Sequence, residues 1–265
     1  MRILRPARSF RLWGENNFKL YIGDLSMKLT KYGKREWLSA TILAVILFAL
    51  CVVLAVFLDR VAGSCLAVLV AVIWVAFVGF FRDPARVVPM DREEVLLSPA
   101  DGVVRDCELI PNGSCGNEEL SKLFEGKDML RIGIFLSVFD VHLNRVPCKM
   151  TVEFTSHKNG AYHDARNQKA IKENESQITG GIGQIGPMQF PVAVKQISGA
   201  IARRIVCPVE KGLVLEKGER YGMIKVGSRT ELYLPVKSGF EPAVSIGDRV
   251  YGGLTPIAVY NSKQS

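Results

Sequence analysis

The chain has 265 residues, 48% of them hydrophobic, and carries 34 Lys and Arg against 26 Asp and Glu for a formal charge of +8. That length allows one sizeable domain and an appendage, and the positive mean hydropathy points to a membrane segment. Six cysteines without Cys-x-x-Cys spacing and only three histidines exclude a disulfide framework and a histidine-rich or zinc-type metal site; they fit a reducing compartment, and no metal is expected.

Residues 1–38 form a basic N-terminal segment with nine Lys and Arg against three acidic residues. Two uncharged runs follow, 39–58 and 61–81. At 1.5 Å per residue, about 20 helical residues cross the roughly 30 Å hydrocarbon core, so residues 39–81 read as a transmembrane helical hairpin turning near Asp59-Arg60. Neither run has the placement of a cleavable signal. Arg82, Arg86 and Arg92 follow the second run. The positive-inside rule then puts the N-terminus and the downstream domain on the cytoplasmic side of the cell membrane. The Arg-rich start, Met1 to Arg11, also matches an organellar import signal, but juxtamembrane charge accounts for it. The basic excess addresses anionic lipid head groups, and no nucleic-acid partner is expected because no recognition motif is present.

From residue 82 the chain is short-period and Gly-rich. Phe81-Arg82-Asp83-Pro84 and Val87-Val88-Pro89 predict an extended exit from the membrane. Val95 to Ser98, the turn Pro99-Ala100-Asp101-Gly102 and Val103-Val104 predict a β-hairpin. Strict alternation puts Leu130, Ile132, Ile134 and Leu136 on one face of a strand, and Met150, Val152 and Phe154 on one face of another. Residues 156–188 lack a period and read as a long loop; 196–206 fit strand or helix. Val209, Gly212, Leu215, Gly218 and Ile224 repeat in spacing as Val244, Gly247, Val250, Gly253 and Val259, which predicts duplicated Gly-punctuated hairpins. Such hairpins resemble those of lipoyl and biotinyl carrier domains, although the modifiable lysine between methionines is missing. The fold class expected is mainly β (α+β): the helical hairpin, then a compact β-rich barrel or sandwich over residues 82–265.

Three stretches carry chemistry. Asp101 sits on the Ser98–Gly102 turn, His142 lies in Phe139-Asp140-Val141-His142-Leu143-Asn144-Arg145-Val146-Pro147, and Gly227-Ser228 precedes the alternating Thr230 to Pro235. Each has an ordinary structural reading: a turn former, a hydrogen-bonded histidine, a tight turn. The reactive reading is that the Ser228 hydroxyl attacks the Gly227 carbonyl, and elimination from the ester leaves a ketone-bearing group at a new N-terminus.

Together these stretches resemble phosphatidylserine decarboxylase, in the short form with an N-terminal membrane hairpin, over about residues 80–260. The resemblance rests on Phe80-Phe81-Arg82-Asp83-Pro84, Ser98-Pro99-Ala100-Asp101-Gly102, Val141 to Pro147, Glu173-Asn174-Glu175, Gln196-Ile197-Ser198-Gly199, Ala202 to Val206, and Tyr221-Gly222-Met223-Ile224 leading to Gly227-Ser228-Arg229. It implies a self-processing enzyme cut between Gly227 and Ser228 into a β fragment, 1–227, and an α fragment, 228–265, which remain partners. Ser228 becomes a covalent pyruvoyl cofactor, which forms a Schiff base with the substrate amine and yields phosphatidylethanolamine from phosphatidylserine. Asp101 would orient and charge-balance His142, and His142 would deprotonate Ser228 and later donate a proton to the substrate carbon. Arg145 stands where a common His-x-x-His-x-Pro pattern has a second histidine; His142 then serves both steps, or His163 or a water takes one. Arg145, Arg203, Arg204 and Lys225 are phosphate candidates by charge alone. Two alternatives stand beside this reading: a membrane-anchored, non-catalytic lipid-binding β-domain, and a pyruvoyl decarboxylase of another serine-bearing lipid or of a soluble amino acid. Oligomeric state stays open, a homo-oligomer being one outcome.

Overall fold

The computed structural model describes residues 27–111, 114, 116–161, 163, 173–199, 204–225, 228–236 and 239–261. The chain divides into a smaller unit, Leu25–Ala85, and a larger one that runs from Arg86.

The smaller unit is built on two helices, α1 (Lys34–Phe57) and α2 (Arg60–Phe80). An unbroken apolar run without proline propagates each helix, and Asp59 caps the second by accepting the Ala62 N–H at 2.9 Å. Gly63 lets the backbones approach, since a Cβ there would lie 2.5 Å from that of Ala55. The Trp74 indole donates to Thr41 Oγ1 at 3.1 Å, and Thr41 donates to the Trp37 carbonyl at 2.7 Å, so these polar groups are satisfied within the helix pair. The remaining faces expose Ile42, Leu50, Val53, Val56, Val61, Val72 and Ile73. Both helices are long and apolar enough to cross a membrane. The first starts at Lys34, inside the basic segment and before the uncharged run. Strands β1 (Met27–Leu29) and β2 (Arg82–Pro84) pair antiparallel at the open end of the helix pair.

The larger unit contains β3 (Val95–Leu97), β4 (Gly102–Ile110), a short helix α3 (Glu118–Leu123), β5 (Met129–Leu136), β6 (Leu143–Arg145), β7 (Lys149–Lys158), β8 (Ser176–Ile185), β9 (Met188–Ile197), β10 (Ile205–Val206), β11 (Val214–Leu215), β12 (Arg220–Ile224), β13 (Ser228–Pro235), β14 (Phe240–Pro242), β15 (Arg249–Val250) and β16 (Pro256–Tyr260). Eight strands form one curled antiparallel sheet in the order β11-β7-β8-β9-β13-β5-β4-β15. Two three-stranded sheets, β10-β12-β6 and β14-β16-β3, accompany it. The main core lies on one face of the curl and includes Leu130, Ile132, Ile134, Leu136, Val192, Val194, Leu232 and Leu234. A second cluster on the other face joins Leu120 and Phe124 to Met129, Ile178, Ala193 and Tyr233.

These sheets are two copies of one pattern. Strands β6 to β12 make one copy; β3, β4, β5, β13, β14, β15 and β16 make the other, and the eight-stranded sheet joins them at the β9/β13 seam. Details repeat as well. β4 bulges between Val104 and Asp106, and β7 between Val152 and Phe154. The Gly247 N–H donates to the Val104 carbonyl as Gly212 donates to Val152, both at 2.8 Å. Gly253 donates to Ser98 as Gly218 donates to Val146, also both at 2.8 Å. All four of these glycines have positive φ, from 73° to 95°, which explains the Gly spacing of the sequence repeat.

Three local expectations need correction. β3 and β4 do not form a hairpin: β3 pairs with β16, and β4 with β5 and β15. The Pro99–Gly102 turn carries the chain from one sheet to the other. Phe154 leaves the face of Met150 and Val152 and packs against the second cluster, because the bulge shifts the alternation by one. Within 156–188, the long strand β8 spans Ser176–Ile185. Its glycines hide the period, and Gly180 and Gly181 are needed where Phe154 and the Thr151 carbonyl press on the strand.

Candidate active site

Asn144 ties together the three chemistry-bearing stretches. Its side-chain N–H2 donates to the Pro99 carbonyl at 3.4 Å and to Thr230 Oγ1 at 2.9 Å, and its oxygen accepts from Gln196 Nε2 at 2.8 Å. The Ser98–Gly102 turn, the His142 segment, the start of β13 and β9 therefore converge on one buried amide. The Arg145 N–H adds a bond to the Pro99 carbonyl at 2.9 Å, and the His142 carbonyl accepts from Ile224 N at 3.1 Å.

Asp101 is buried, and its carboxylate takes both guanidinium N–H2 groups of Arg86 at 2.7 Å each. The Gly252 N–H donates to the same carboxylate at 2.8 Å, while the Gly252 carbonyl accepts from Arg86 at 2.5 Å. The side chains of this pair are 7% and 6% exposed, so a fork-to-fork ion pair sits inside the domain.

His142 is fully buried. Its Nδ1 lies 3.0 Å from the Asp140 carbonyl oxygen, an acceptor that fixes the proton on Nδ1 and leaves Nε2 as the basic nitrogen. The carbonyl is itself fixed. Asp140 Oδ2 accepts from Ser137 N and Oγ, each at 2.8 Å, closing the turn that follows β5, and Oδ1 pairs with Arg249 of β15. The 249–252 segment thus supports both Asp101 and the histidine loop.

Ser228 opens β13, the strand flanked by β5 and β9, and pairs with Leu136. It is fully buried, and its Oγ has no hydrogen-bond partner among the described residues. A buried hydroxyl left unsatisfied costs about 1–3 kcal/mol. The next residue is anchored: Arg229 holds both Asp106 oxygens, at 2.6 and 2.7 Å, and Glu231 at 2.8 Å. Burial pushes the Glu231 carboxyl up, but Arg229, Arg131 and Lys195 outweigh it and hold the group below its ordinary range. Tyr233 donates to Glu231 at 2.6 Å. Alternation sends these charges to the face opposite Ser228 and Thr230.

The other candidates separate. Arg145 is buried and donates to the Gly218 carbonyl at 3.0 Å, a packing position between the duplicated turns. Arg204 is exposed and Lys225 half-buried, and they meet through backbone, Lys225 N to the Arg204 carbonyl at 3.2 Å. His163 pairs with Glu173 at 2.8 Å at an exposed position. Gly227 and Arg203 lie outside the described residues. Among the described residues no group of His, Cys, Asp and Glu could hold a metal. Burial pushes the Cys107 and Cys148 thiols up to about 11 and about 12, which makes both poor nucleophiles. Sequence reasoning missed Arg86, Asp140, Asn144 and Arg249. Asp140 and Asn144 stand in the quoted motif, two residues either side of His142, but only their distant partners Arg249 and Thr230 give them a role.

An apolar helix pair thus precedes an antiparallel β domain in which the stretches carrying a buried hydroxyl, a buried imidazole and a buried carboxylate meet at one amide. Residues 74–258 match the family model for phosphatidylserine decarboxylase. Relatives named phosphatidylserine decarboxylase proenzyme include one from Carboxydothermus hydrogenoformans, 43% identical over 72% of this chain and 83% of its own. A second from Geotalea uraniireducens is 39% identical over 77% and 88%, and a third from Cereibacter sphaeroides 41% over 70% and 75%. The chain belongs to the phosphatidylserine decarboxylase family.

Proposed function

We infer that this protein is a proenzyme that processes itself and then decarboxylates phosphatidylserine to phosphatidylethanolamine. The observation that carries the reading, beside family membership, is the buried Ser228 hydroxyl at the first position of the central strand. A pyruvoyl group made from this serine fits the place: Arg229 fixes the backbone next to it, and the position is buried.

In the maturation proposed, His142 Nε2 takes the Ser228 hydroxyl proton and the oxygen attacks the Gly227 carbonyl carbon. The Gly227–Ser228 C–N bond breaks as the nitrogen gains a proton, leaving an ester. Loss of the Ser228 Cα proton and cleavage of the Cβ–O bond release the Gly227 carboxylate. The dehydroalanine so formed tautomerises to an imine, and water replaces its nitrogen, which leaves as ammonia. The Asp140 carbonyl, and not Asp101, orients the imidazole through Nδ1, while Asp101, whose charge Arg86 already offsets, anchors the turn that meets the His142 segment. Once formed, the pyruvoyl group supplies a ketone that condenses with the substrate amine and accepts the electrons freed with CO2. His142 then holds the proton for the substrate carbon, since Arg145 is committed to Gly218 and His163 to Glu173. Head-group phosphate falls to Arg203, Arg204 or Lys225. The helix pair holds the protein at a membrane, and flanking arginines put the domain on the cytoplasmic side.

Mass spectrometry of the purified protein, with CO2 release from phosphatidylserine vesicles, tests the reading. Two fragments split after Gly227 and a CO2 yield are expected, and Ser228→Ala abolishes both. An intact chain that still releases CO2, or an active Ser228→Ala variant, overturns it.

A further inference from the structure

Along the β9/β13 seam Arg229 pairs with Ile197 and Thr230 with Gln196. One residue further, at the start of β13 and the end of β9, stand Ser228 and Ser198. Paired residues share a face, so Gln196 and Ser198 lie on the face of Thr230 and Ser228. Both are fully buried. Each has an unsatisfied atom among the described residues, Gln196 Oε1 and Ser198 Oγ, so two orphan polar atoms share the face of the Ser228 hydroxyl, itself an orphan.

The hydrogen-bond network decides which Gln196 atom is left over. Pro99 offers only a carbonyl, so Asn144 must turn its N–H2 toward it, leaving Asn144 Oδ1 as an acceptor. Gln196 meets that oxygen with Nε2 at 2.8 Å. Its Oε1 is therefore a buried acceptor, and Ser198 next to it is a buried donor.

We propose that Gln196 and Ser198 form the head-group subsite for a zwitterionic α-amino acid moiety, with Gln196 Oε1 accepting from its amine and the Ser198 hydroxyl donating to its carboxylate. The proposal rests on the phosphatidylserine reading and adds the residues that recognise the serine part. Ethanolamine lacks the carboxylate, so the Ser198 contact distinguishes substrate from product and helps the product to leave.

The test uses full-length, matured protein in detergent micelles, with glycerophosphoserine and glycerophosphoethanolamine as competitive inhibitors of CO2 release. A lost hydrogen bond to a charged group corresponds to an affinity loss of about ten-fold or more. Ser198→Ala is expected to raise the inhibition constant of glycerophosphoserine by about ten-fold and leave that of glycerophosphoethanolamine within two-fold, while Ser198→Thr restores the wild-type value. Gln196→Met raises both constants. Equal effects of Ser198→Ala on the two inhibitors, or none on either, overturn the proposal. So does a Ser198→Ala chain that stays uncut while Ser198→Thr is cut, which assigns the hydroxyl to maturation. If wild-type protein releases no CO2, the parent reading fails; calorimetric titration with glycerophosphoserine then judges the subsite alone, and equal binding by wild type and Ser198→Ala overturns it.

Discussion

Arg86 and Asp101 show how much one residue can carry. Their ion pair is buried and bidentate, and Gly252 closes it from both its N–H and its carbonyl. Removing one member of a buried pair leaves the other charge without compensation, which costs about 3–5 kcal/mol. Arg86→Ala is therefore expected to lower the thermal midpoint in detergent and to slow self-cleavage, followed as disappearance of the full-length band. Arg86→Lys retains the charge without the fork and falls between. A variant that melts and matures like wild type would show that Gly252 alone holds the carboxylate.

At the scale of elements, β8 shows what packing does to a strand. A Cβ on Gly181 would run into the Thr151 carbonyl of the paired strand, and β8 is hydrogen-bonded on both edges. Forcing extra volume into such a contact costs about 1–3 kcal/mol. Gly181→Ala should show that loss in a denaturant titration, whereas Gly212→Ala meets no neighbour within 4 Å and bears only the strain of φ 87°. Equal losses would argue against the close approach. The comparison also shows what the sequence can reveal. β5 was legible because Leu130, Ile132, Ile134 and Leu136 alternate into one core; β8 was not, because glycines carry no side chain from which to read a period. The β3–β4 turn was found but mispaired, since the partners of both strands lie far along the chain. Ser228, His142 and Asp101 were legible as candidates because their motifs are local, but the Arg86 partnership of Asp101 was not. Arg86, Asn144 and Arg249 were not, because each gains its meaning from a residue between 15 and 109 positions away.

For the whole molecule the two-copy pattern governs what a chain break can do. The copy formed by β6 to β12 is inserted into the other between β5 and β13, and the proposed cut lies where that insertion ends. The smaller fragment would then hold β13 to β16, with β13 bonded to β5 and β9 and β15 and β16 bonded to β4 and β3. Such fragments should elute together in size exclusion after complete maturation and separate only in denaturant. A matured sample that resolves into two species under native conditions would contradict this interleaving.

The central place of β13 also bears on how the protein can be made. Two fragments translated from separate messages would have to find one another in equal number, and the shorter one would have to enter a sheet whose neighbours had already closed on each other. A single message removes both difficulties: with the proposed cut, every copy of one fragment would be born with one copy of the other, and the strand would be laid in place before any bond is cut. Biosynthesis as one polypeptide would thus set a sequence of events, folding before the proposed scission, that two genes could not enforce.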